Sequence, residues 1–418
     1  MSSIQFKSTN LYESLAGTVA DESIRRALGD TAWPTVKHEE WKYSDLSLLA
    51  KRSFGMVSKQ PGYLPEGARP YFRDKMVNLV FCNGVFSRNH SDLSRLPPGL
   101  TISTAHDAVA QARRLKPYFN GKTGNDPLLF LALNQALAKD CVLLDAEKGS
   151  SVNKPVHILH IIDGVTERMA FFPKLFIRLA PFAKLGVLET FVSLNSGEYL
   201  SNPVTEGLIE ENASLSHVQA HVHSKDAFHI GSTRVWVKKD GHLNSFVATS
   251  GARVFRSHVN AILEGEGAEA TLNGLHALKD ERHADSHTFI HHMAPNAHSN
   301  QLYKCILDGE SHSVFNGKVK VDQKAQLTNS YQLNKNLLLS RDCHADTKPE
   351  LMINADDVKC THGATIGQLN DEEIFYLETR GIARSDAARM LTRGFVDDVV
   401  NRITNPLARS AVSELIPI

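Results

Sequence analysis

The sequence predicts a mainly β fold in which a parallel β-helix, a solenoid of stacked turns, lies between helical N-terminal and C-terminal domains. Short β-rich runs follow one another from Cys141 to about residue 368, with small turns and no long amphipathic helix between them. A corner pattern recurs along this stretch at a near-constant spacing. Helix signals are concentrated before and after it. We therefore place the domains at residues 1–140, 141–368 and 369–418.

The N-terminal domain is predicted to be mainly helical. Apolar residues recur at helical spacing before Pro34 interrupts the pattern, namely Leu11, Leu15, Val19, Ile24 and Leu28. The segment "HDAVAQARRL" predicts a second helix, and "DPLLFLALNQALA" a third with Asp126 as N-cap and Pro127 in the first turn. Between the first and second helices, "MVNLVFCNGVF" predicts a buried hairpin that turns at Asn83 and Gly84.

The repeat of the central domain is a turn with Gly, Asn or Asp, followed by a small residue and then an apolar or small one. The first small position recurs at Ala183, Ala213, Gly241, Ala268, Ala297, Ala325 and Val358, in steps of 30, 28, 27, 29, 28 and 33 residues. A solenoid produces such a period because each turn of chain buries its apolar face on the next turn. A β-sandwich is the alternative, since turns recurring every 8 to 12 residues or so can imitate a longer period. The steady step favours the parallel β-helix.

The C-terminal domain is predicted to contain three helices. Asn370 is the expected N-cap of the first helix and Gly381 its end, Ser385 is the expected N-cap of the second, and Asn405 with Pro406 opens the third. Their apolar residues exceed what the helices need to cover each other: Ile374, Phe375, Leu377, Met390, Leu391, Phe395, Val396, Val399 and Val400. The residues alone favour packing on the end of the solenoid, and a docking surface for another protein is the open alternative.

Composition limits the class of partner. With 418 residues the chain can build a large core, so its stability needs neither a metal nor a disulfide. Lys plus Arg and Asp plus Glu both number 46, and this zero net charge gives no sign of a nucleic-acid or membrane partner. The five cysteines form no C-x-x-C motif, which indicates reduced thiols in the cytosol. Because no secretory signal, transit peptide or membrane span is recognisable, we expect a cytoplasmic protein.

The sequence lacks the residue spacing that nucleotide binding and nucleophilic catalysis require. The segment "NGKTGND" ends like a P-loop, but Lys116 stands where the first glycine is needed, so no nucleotide is expected on this chain. Cys343 and His344 are adjacent and would face opposite sides of a strand, which is poor geometry for a thiolate and its base.

The twenty histidines include two sets with metal-ligand potential. The sets that share one face of an extended strand are His283, His287 and His291, and separately His221 and His223. His292 lies on the opposite face from the first set. Surface or rung-stacking histidines explain both sets more simply than a metal site, and a metal site stays the minor alternative.

The segment "DDVKCTHGATIG" carries the strongest candidate site. On a strand Cys360 and His362 face the same side, about 7 Å apart by the strand rise. Both bind soft or borderline metal ions, but two ligands do not complete a tetrahedral site. A small buried cysteine beside a hydrogen-bonded histidine is the structural alternative. The position on the final rung favours a half-site that a partner completes, and such a labile site suits building and releasing a cluster.

Two segments carry a family resemblance. The block from Ser313 to Ile382, which includes "LLLSRDCHADTKPELMINADDVKCTHGATIGQLNDEEIFYL", resembles the C-terminal signature of the SufB/SufD family of iron-sulfur cluster assembly scaffolds. "PTVKHEEWKYSDL", from Pro34 to Leu46, is similar to the E-x-W-[KR]-Y-[ST] segment of the SufD branch. The SufB branch is longer and has a C-x-H-E-A type ending where this sequence has Cys-Thr-His-Gly-Ala. The resemblance covers nearly the whole chain and is closer to the SufD branch.

The resemblance implies a right-handed β-helix, paired as a heterodimer with a SufB-like paralogue and assembled with two copies of SufC, an ABC-type ATPase. It implies that His362 holds the nascent iron-sulfur cluster together with side chains of the paralogue, while Cys360 supports the site at the interface. The C-terminal helices, residues 370–416, would dock the ATPase, and a sulfur donor would act on the complex. The chain itself would be a non-catalytic scaffold. Whether FAD is held in the complex, and whether the isolated chain forms a homodimer, stays open from the sequence.

A polysaccharide-active β-helix enzyme is the competing class, because lyases and hydrolases of sugars use the same solenoid with carboxylates in a groove. Paired acids are present at Asp356 and Asp357 and at Glu264 and Glu266. Adjacent residues face opposite ways on a strand, however, and exposed turns explain all four. The sequence therefore favours the scaffold.

Overall fold

The computed structural model describes residues 5–56, 63–104, 107–108, 127–152, 154–164 and 168–416. Most of the predicted helix "HDAVAQARRL", the whole of "NGKTGND" and the predicted cap Asp126 lie outside these residues.

The described helices are α1 Asn10–Ala16, α2 Glu22–Asp30, α3 Ser47–Ala50, α4 Leu128–Leu137, α5 Asp371–Glu378, α6 Arg384–Val400 and α7 Pro406–Leu415. Short 3-10 turns occur at Phe6–Ser8, Glu39–Trp41, Glu66–Tyr71, Arg88–His90 and Leu93–Arg95. Within the described part of the chain, no helix combines the length and apolar character needed to cross a bilayer.

The strands are β1 Gly55–Met56, β2 Val77–Cys82, β3 Val85–Ser87, β4 Leu100–Thr104, β5 Cys141–Ala146, β6 Val156–Ile162, β7 Met169–Phe171, β8 Lys174–Leu179, β9 Lys184–Ser193, β10 Tyr199–Ser201, β11 Val204–Ile209, β12 Ser214–Val222, β13 Phe228–Val237, β14 His242–Thr249, β15 Val254–Leu263, β16 Glu269–Leu278, β17 His283–His292, β18 His298–Leu307, β19 His312–Val321, β20 Asn329–Leu338, β21 His344–Ile353 and β22 Lys359–Gly367.

These strands form two sheets that face each other across the solenoid core. Sheet 1 has the order β21-β19-β17-β15-β13-β11-β8-β5-β4, with β1, β7 and β10 off this path. Sheet 2 has the order β22-β20-β18-β16-β14-β12-β9-β6-β2-β3. From β5 onward, consecutive members of either order pair in parallel, as a chain that returns to the same sheet once per turn must do. The predicted parallel β-helix is confirmed.

The strand register confirms the repeat and corrects one of its positions. The paired first residues of the sheet 2 strands are Lys184, Ser214, His242, Glu269, His298, Asn329 and Lys359, in steps of 30, 28, 27, 29, 31 and 30 residues. The residue before Asn329 is Thr328, so Ala325 was the wrong equivalent by three positions. The corner before β20 has extra residues, and its left-handed backbone position falls on Leu327, at φ 60°.

The sheets begin earlier in the chain than residue 141. The predicted hairpin is confirmed, with β2 antiparallel to β3 across Asn83 and Gly84, whose φ angles are 49° and 78°. Strand β2 then pairs in parallel with β6, and β4 pairs antiparallel with β5. Part of the range predicted to be mainly helical therefore belongs to the solenoid, because these short apolar runs complete its first turn.

Two helix predictions in the N-terminal domain need correction. The predicted first helix is two helices, because the chain turns between Ala16 and Glu22 and the Asp21 carboxylate caps α2 by accepting from the N–H groups of Ser23 and Ile24. Pro127 occupies the N-cap position of α4 and not its first turn.

The segment Glu39–Ser44 joins the N-terminal domain to the outer face of sheet 1, and we call it the N-terminal clamp. Trp41 lies under the Arg256 guanidinium, 3.7 Å from its carbon to the ring centroid. Ser44 Oγ donates to Asp285 Oδ2 at 2.5 Å, and Arg256 Nη1 donates to the same oxygen at 2.5 Å. The Arg256 side chain is completely buried as a result.

The C-terminal helices pack on the flank of the solenoid and not on its end. Val396 and Val400 of α6 and Val412 of α7 join one buried cluster with the outward-facing Val218 and Phe246 of sheet 2. The expectation of packing on the end is wrong because the apolar surface that these helices need lies along this outer face. The caps Asn370 and Asn405 are confirmed by hydrogen bonds from backbone N–H groups, whereas α6 begins at Arg384 after Ala383, so Ser385 is not its cap.

Candidate site at the open end of the solenoid

Strands β21 and β22 end the two sheets, and each is paired on one side only within the described ranges of the chain. Every other strand from β8 to β20 in the two main orders is flanked on both sides. The free edges of β21 and β22 therefore present unpaired backbone donors and acceptors at one end of the solenoid. This open end is the natural place for another chain to add strands.

Cys360 and His362 lie on β22 at this open end. Their register partners on β20 are Ser330 and Gln332, both buried, so the pair shares the face that points into the solenoid. The parity predicted from the sequence is therefore present. Because no further strand covers β22, His362 is exposed and Cys360 is half-buried.

The two side chains differ in their surroundings. Cys360 packs against a small apolar cluster that includes Val319, Val321 and Ala355. Burial raises the pKa of its thiol, against a smaller opposing effect of the Ser330 backbone. It is nevertheless the most accessible of the five cysteines, since the other four are buried. His362 thus offers the more accessible of the two potential metal-binding side chains, and a cysteine binds metal as its thiolate.

The rung behind His362 holds unsatisfied polar atoms. Gln332 is fully buried, and among the described residues neither its amide oxygen nor its amide nitrogen has a hydrogen-bond partner. In the same described part of the chain, the Thr347 hydroxyl on β21 is also without a partner. Such atoms cost free energy when nothing satisfies them. The open end is therefore chemically incomplete in the single chain.

The acids of the competing enzyme class lie at solenoid corners. Glu264 follows β15 and pairs with Lys238 at 2.5 Å, and Glu266 accepts from Asn296 at 3.0 Å. Asp356 and Asp357 lie in the exposed bend between β21 and β22. Each acid thus has the environment of a surface turn, as expected from the sequence.

The histidines predicted on one strand face of β17 do not converge. His283 contacts Ser44 at 3.0 Å, His287 contacts Asp285 at 3.0 Å, and His291 contacts Asp322 at 2.9 Å. They point outward and take separate partners, while His292 points inward to Ser299. The three rings therefore do not share one site.

The second set does converge, with a member that the sequence did not identify. His221 on β12 and His223 just after it meet His229 on β13, and one nitrogen from each of the three rings lies within 4.8 Å of the others. His229 was missed because it lies on the next strand, across a solenoid corner. The signal that could have found it is the H-x-H-x5-H spacing over "HVHSKDAFH".

These features define a β-helix protein with an exposed histidine, a residue type able to bind metal ions, at an unpaired sheet edge. Comparison with protein families places residues 160–395 in "SUF system FeS cluster assembly, SufBD core domain" and residues 19–158 in "SufBD protein N-terminal region". An iron-sulfur cluster assembly SufBD family protein of Synechocystis is 33% identical over 91% of this chain and 86% of its own length. The iron-sulfur cluster assembly protein SufD of Escherichia coli is 30% identical over 89% of this chain and 86% of its own length.

The chain belongs to the SufBD family of the SUF system for iron-sulfur cluster assembly, and it is SufD-like. The resemblance drawn from the two sequence segments is confirmed.

Proposed function

We propose that this chain is the SufD-like scaffold subunit of a SufBCD complex, and that a nascent iron-sulfur cluster, as cargo, is held at its open end together with a SufB-like paralogue. The observation that carries the proposal is the exposed His362 on the uncovered strand β22. One imidazole and one half-buried thiol cannot close an iron site, so the remaining ligands come from a second chain.

The open end suits a second β-helix as that chain. The free edges of β21 and β22 can pair with terminal strands of a paralogue and satisfy their backbone groups. The buried amide of Gln332 would find partners in the same event. His362 and Cys360 would then face the new interface, with His362 as iron ligand and Cys360 in support.

The chain's own part in assembly is to hold and expose ligands. His362 binds iron through a neutral imidazole nitrogen, and a thiolate ligand must be deprotonated. A sulfur donor acts on the complex, and ATP is hydrolysed by the SufC-type partner. Movement of the ATPase subunits, passed through the C-terminal helices, rearranges the interface and opens the site.

Replacing His362 with alanine is expected to lower the cluster content of the complex about tenfold or more, because the replacement removes the accessible ligand of this chain. The measurement is iron and acid-labile sulfide in the anaerobically purified complex, coexpressed with the SufB-like and ATPase partners.

His344→Ala is the matched control, because His344 is an exposed histidine on the other terminal strand and faces outward, stacked on His312 at 4.2 Å between centroids. It should keep wild-type cluster content. If His362→Ala and wild type have equal cluster content and the complex is intact, then this chain's histidine is not a ligand and the partner supplies the cluster ligands.

The docking surface for the ATPase is expected on α5 and the start of α6. Phe375, Tyr376 and Met390 are 66%, 58% and 53% exposed, while the other apolar residues of the surplus are buried or half-buried. Large apolar side chains exposed in this way are typical of a protein interface.

Phe375→Ser is therefore expected to weaken binding of the SufC-type ATPase by roughly tenfold or more. Isothermal titration of the purified ATPase into the chain measures it. Phe182→Ser is the control, because Phe182 is 53% exposed at a solenoid corner away from these helices. If both variants bind the ATPase like wild type, the docking surface lies elsewhere.

A further inference from the structure

The histidine cluster inside the solenoid has unusual hydrogen bonding. Both nitrogens of His221, Nε2 of His223 and Nδ1 of His229 are buried without a partner among the described residues. By contrast, two other buried histidines have partners on both ring nitrogens. His157 contacts Asn78 and Thr190 at 2.9 Å each, and His276 contacts two serine hydroxyls at 2.8 Å each.

Three imidazoles that meet at one point, each with at least one buried nitrogen that lacks a partner among the described residues, need a common occupant, because such nitrogens are costly. We propose that His221, His223 and His229 bind a divalent transition-metal ion of borderline softness, such as Zn²⁺, inside the solenoid. Neutral imidazole is the preferred nitrogen ligand of such ions. This site is separate from the open end, and it does not rest on the function proposed above.

The geometry is close to that of a loaded site. Ligand nitrogens around a tetrahedral zinc lie about 3.3 Å apart, given bonds of about 2.0–2.1 Å. The three nitrogens already lie within 4.8 Å of one another, so at most about 1.5 Å separates each pair from that spacing. A tetrahedral ion would keep its fourth position for a water molecule.

The surrounding side chains hold the rings in place. Phe191 stacks on His221 at 4.6 Å between centroids, and Phe255 stacks on His229 at 5.0 Å. Tyr199 Oη lies 2.9 Å from His223 Nδ1. When His223 Nδ1–H donates to that phenol oxygen, Nε2 is left with its lone pair for the metal, which is the usual way a second residue fixes a ligand tautomer.

Charge and protonation also suit a cation. Glu189 lies on the same inner strand face as Phe191 and accepts hydrogen bonds from His217 and Gln219. Although burial raises the pKa of the Glu189 carboxyl, hydrogen bonds from His160 and His217 hold it well below its usual range, so the carboxylate is anionic.

The ion would join the end of β12 in sheet 2 to the start of β13 in sheet 1 across one corner. In sheet 2, β12 is five strands from β22, which is about 24 Å at the usual spacing of about 4.8 Å. An ion here would therefore cross-link two strands in the middle of the solenoid, and it would not contact the open end.

The test is metal analysis of the full chain in a His362→Ala background, so that the exposed half-site contributes nothing. Cells are grown with added Zn²⁺, and the purified protein is dialysed against metal-free buffer. We expect about one zinc per chain. X-ray absorption at the zinc edge should show nitrogen or oxygen neighbours at about 2.0 Å and no sulfur at about 2.3 Å.

Adding His223→Gln should reduce bound zinc to less than about a tenth of this, whereas adding His157→Gln should leave it unchanged. His157 is the control because it is equally buried and both of its nitrogens are satisfied. Should His223→Gln not fold, Tyr199→Phe replaces it, with an expected 10-fold to 100-fold or so loss of zinc affinity in competition with a chromophoric chelator.

If the parent protein binds no zinc, the proposal is wrong. The partner of the three nitrogens would then be a buried water molecule. Equal zinc content with and without His223, or a sulfur neighbour in the absorption spectrum, would also overturn the proposal. Cluster assembly is tested on another residue, His362, and in the complex with the partners. None of these zinc results therefore bears on the function proposed for the open end.

Discussion

Replacing Asp285 with alanine is expected to lower the free energy of unfolding by about 3–5 kcal/mol, because it leaves a buried guanidinium without its counter-charge. Arg256 and Asp285 are completely buried, and the Arg256 Nη1 to Asp285 Oδ2 distance is 2.5 Å. Arg256 also donates to His258 Nε2 at 2.9 Å and to the Glu40 carbonyl at 2.5 Å. Loss of Asp285 therefore weakens the N-terminal clamp and sheet 1 together.

Urea unfolding followed by circular dichroism measures the change, and tryptophan fluorescence reports on the clamp through Trp41, which is 8% exposed. The control is Asp226→Ala. Asp226 pairs with Arg253 at 2.7 Å, but these side chains are 33% and 42% exposed, so a change below about 1 kcal/mol is expected.

Replacing both charged residues shows whether the stability loss in Asp285→Ala comes from an unpaired buried charge or from lost packing. An Arg256→Met and Asp285→Leu double variant should recover much of the stability lost in Asp285→Ala, since apolar residues of similar size often replace a buried ion pair without cost. A loss of less than about 1 kcal/mol in Asp285→Ala would show that the guanidinium finds water or another partner.

The repeat could be predicted from the sequence because every turn of the solenoid uses the same corner chemistry. Asn212, Asp240 and Asn296 take the left-handed backbone conformation that these residue types favour. Leu327 takes the same conformation at φ 60°. No propensity rule places leucine there, so the corner before β20 was misaligned by three residues.

The clamp could be predicted as a motif but not as a structure. "EEWKYS" was identified through its resemblance to a family segment, whereas its contacts are with Arg256 and Asp285, more than 200 positions away. Periodicity describes one element at a time and says nothing about pairs so far apart. The same reason explains why the C-terminal helices were placed on the end of the solenoid and not on its flank.

At the two candidate sites as well, local features could be predicted from the sequence and long-range contacts could not. Strand parity correctly placed Cys360 and His362 on one face, because alternation is a local property of a strand. Convergence of His229 with His221 and His223 depends on how a corner brings two sheets together, which local pattern does not contain. The ligands that would complete the open end belong to another chain and cannot be read from this one.

Acidification is expected to unfold the chain, because several histidines are buried in the neutral form. Burial lowers the pKa of His157, His283 and His292 to about 3, and that of His276 to about 4. In the unfolded chain these groups titrate near 6.5. Between about pH 6.5 and 4 the unfolded state therefore binds more protons, and the stability falls as the pH falls.

Each such histidine contributes a slope that approaches about 1.4 kcal/mol per pH unit, so four of them can remove roughly 5 kcal/mol per unit near pH 5, a large part of the stability of a typical protein. We expect acid unfolding with a midpoint near pH 5, measured by circular dichroism, and a shallower pH dependence of the urea midpoint in His157→Gln. A stability that stays constant from pH 7 to 4 would mean that these histidines are protonated in the folded chain.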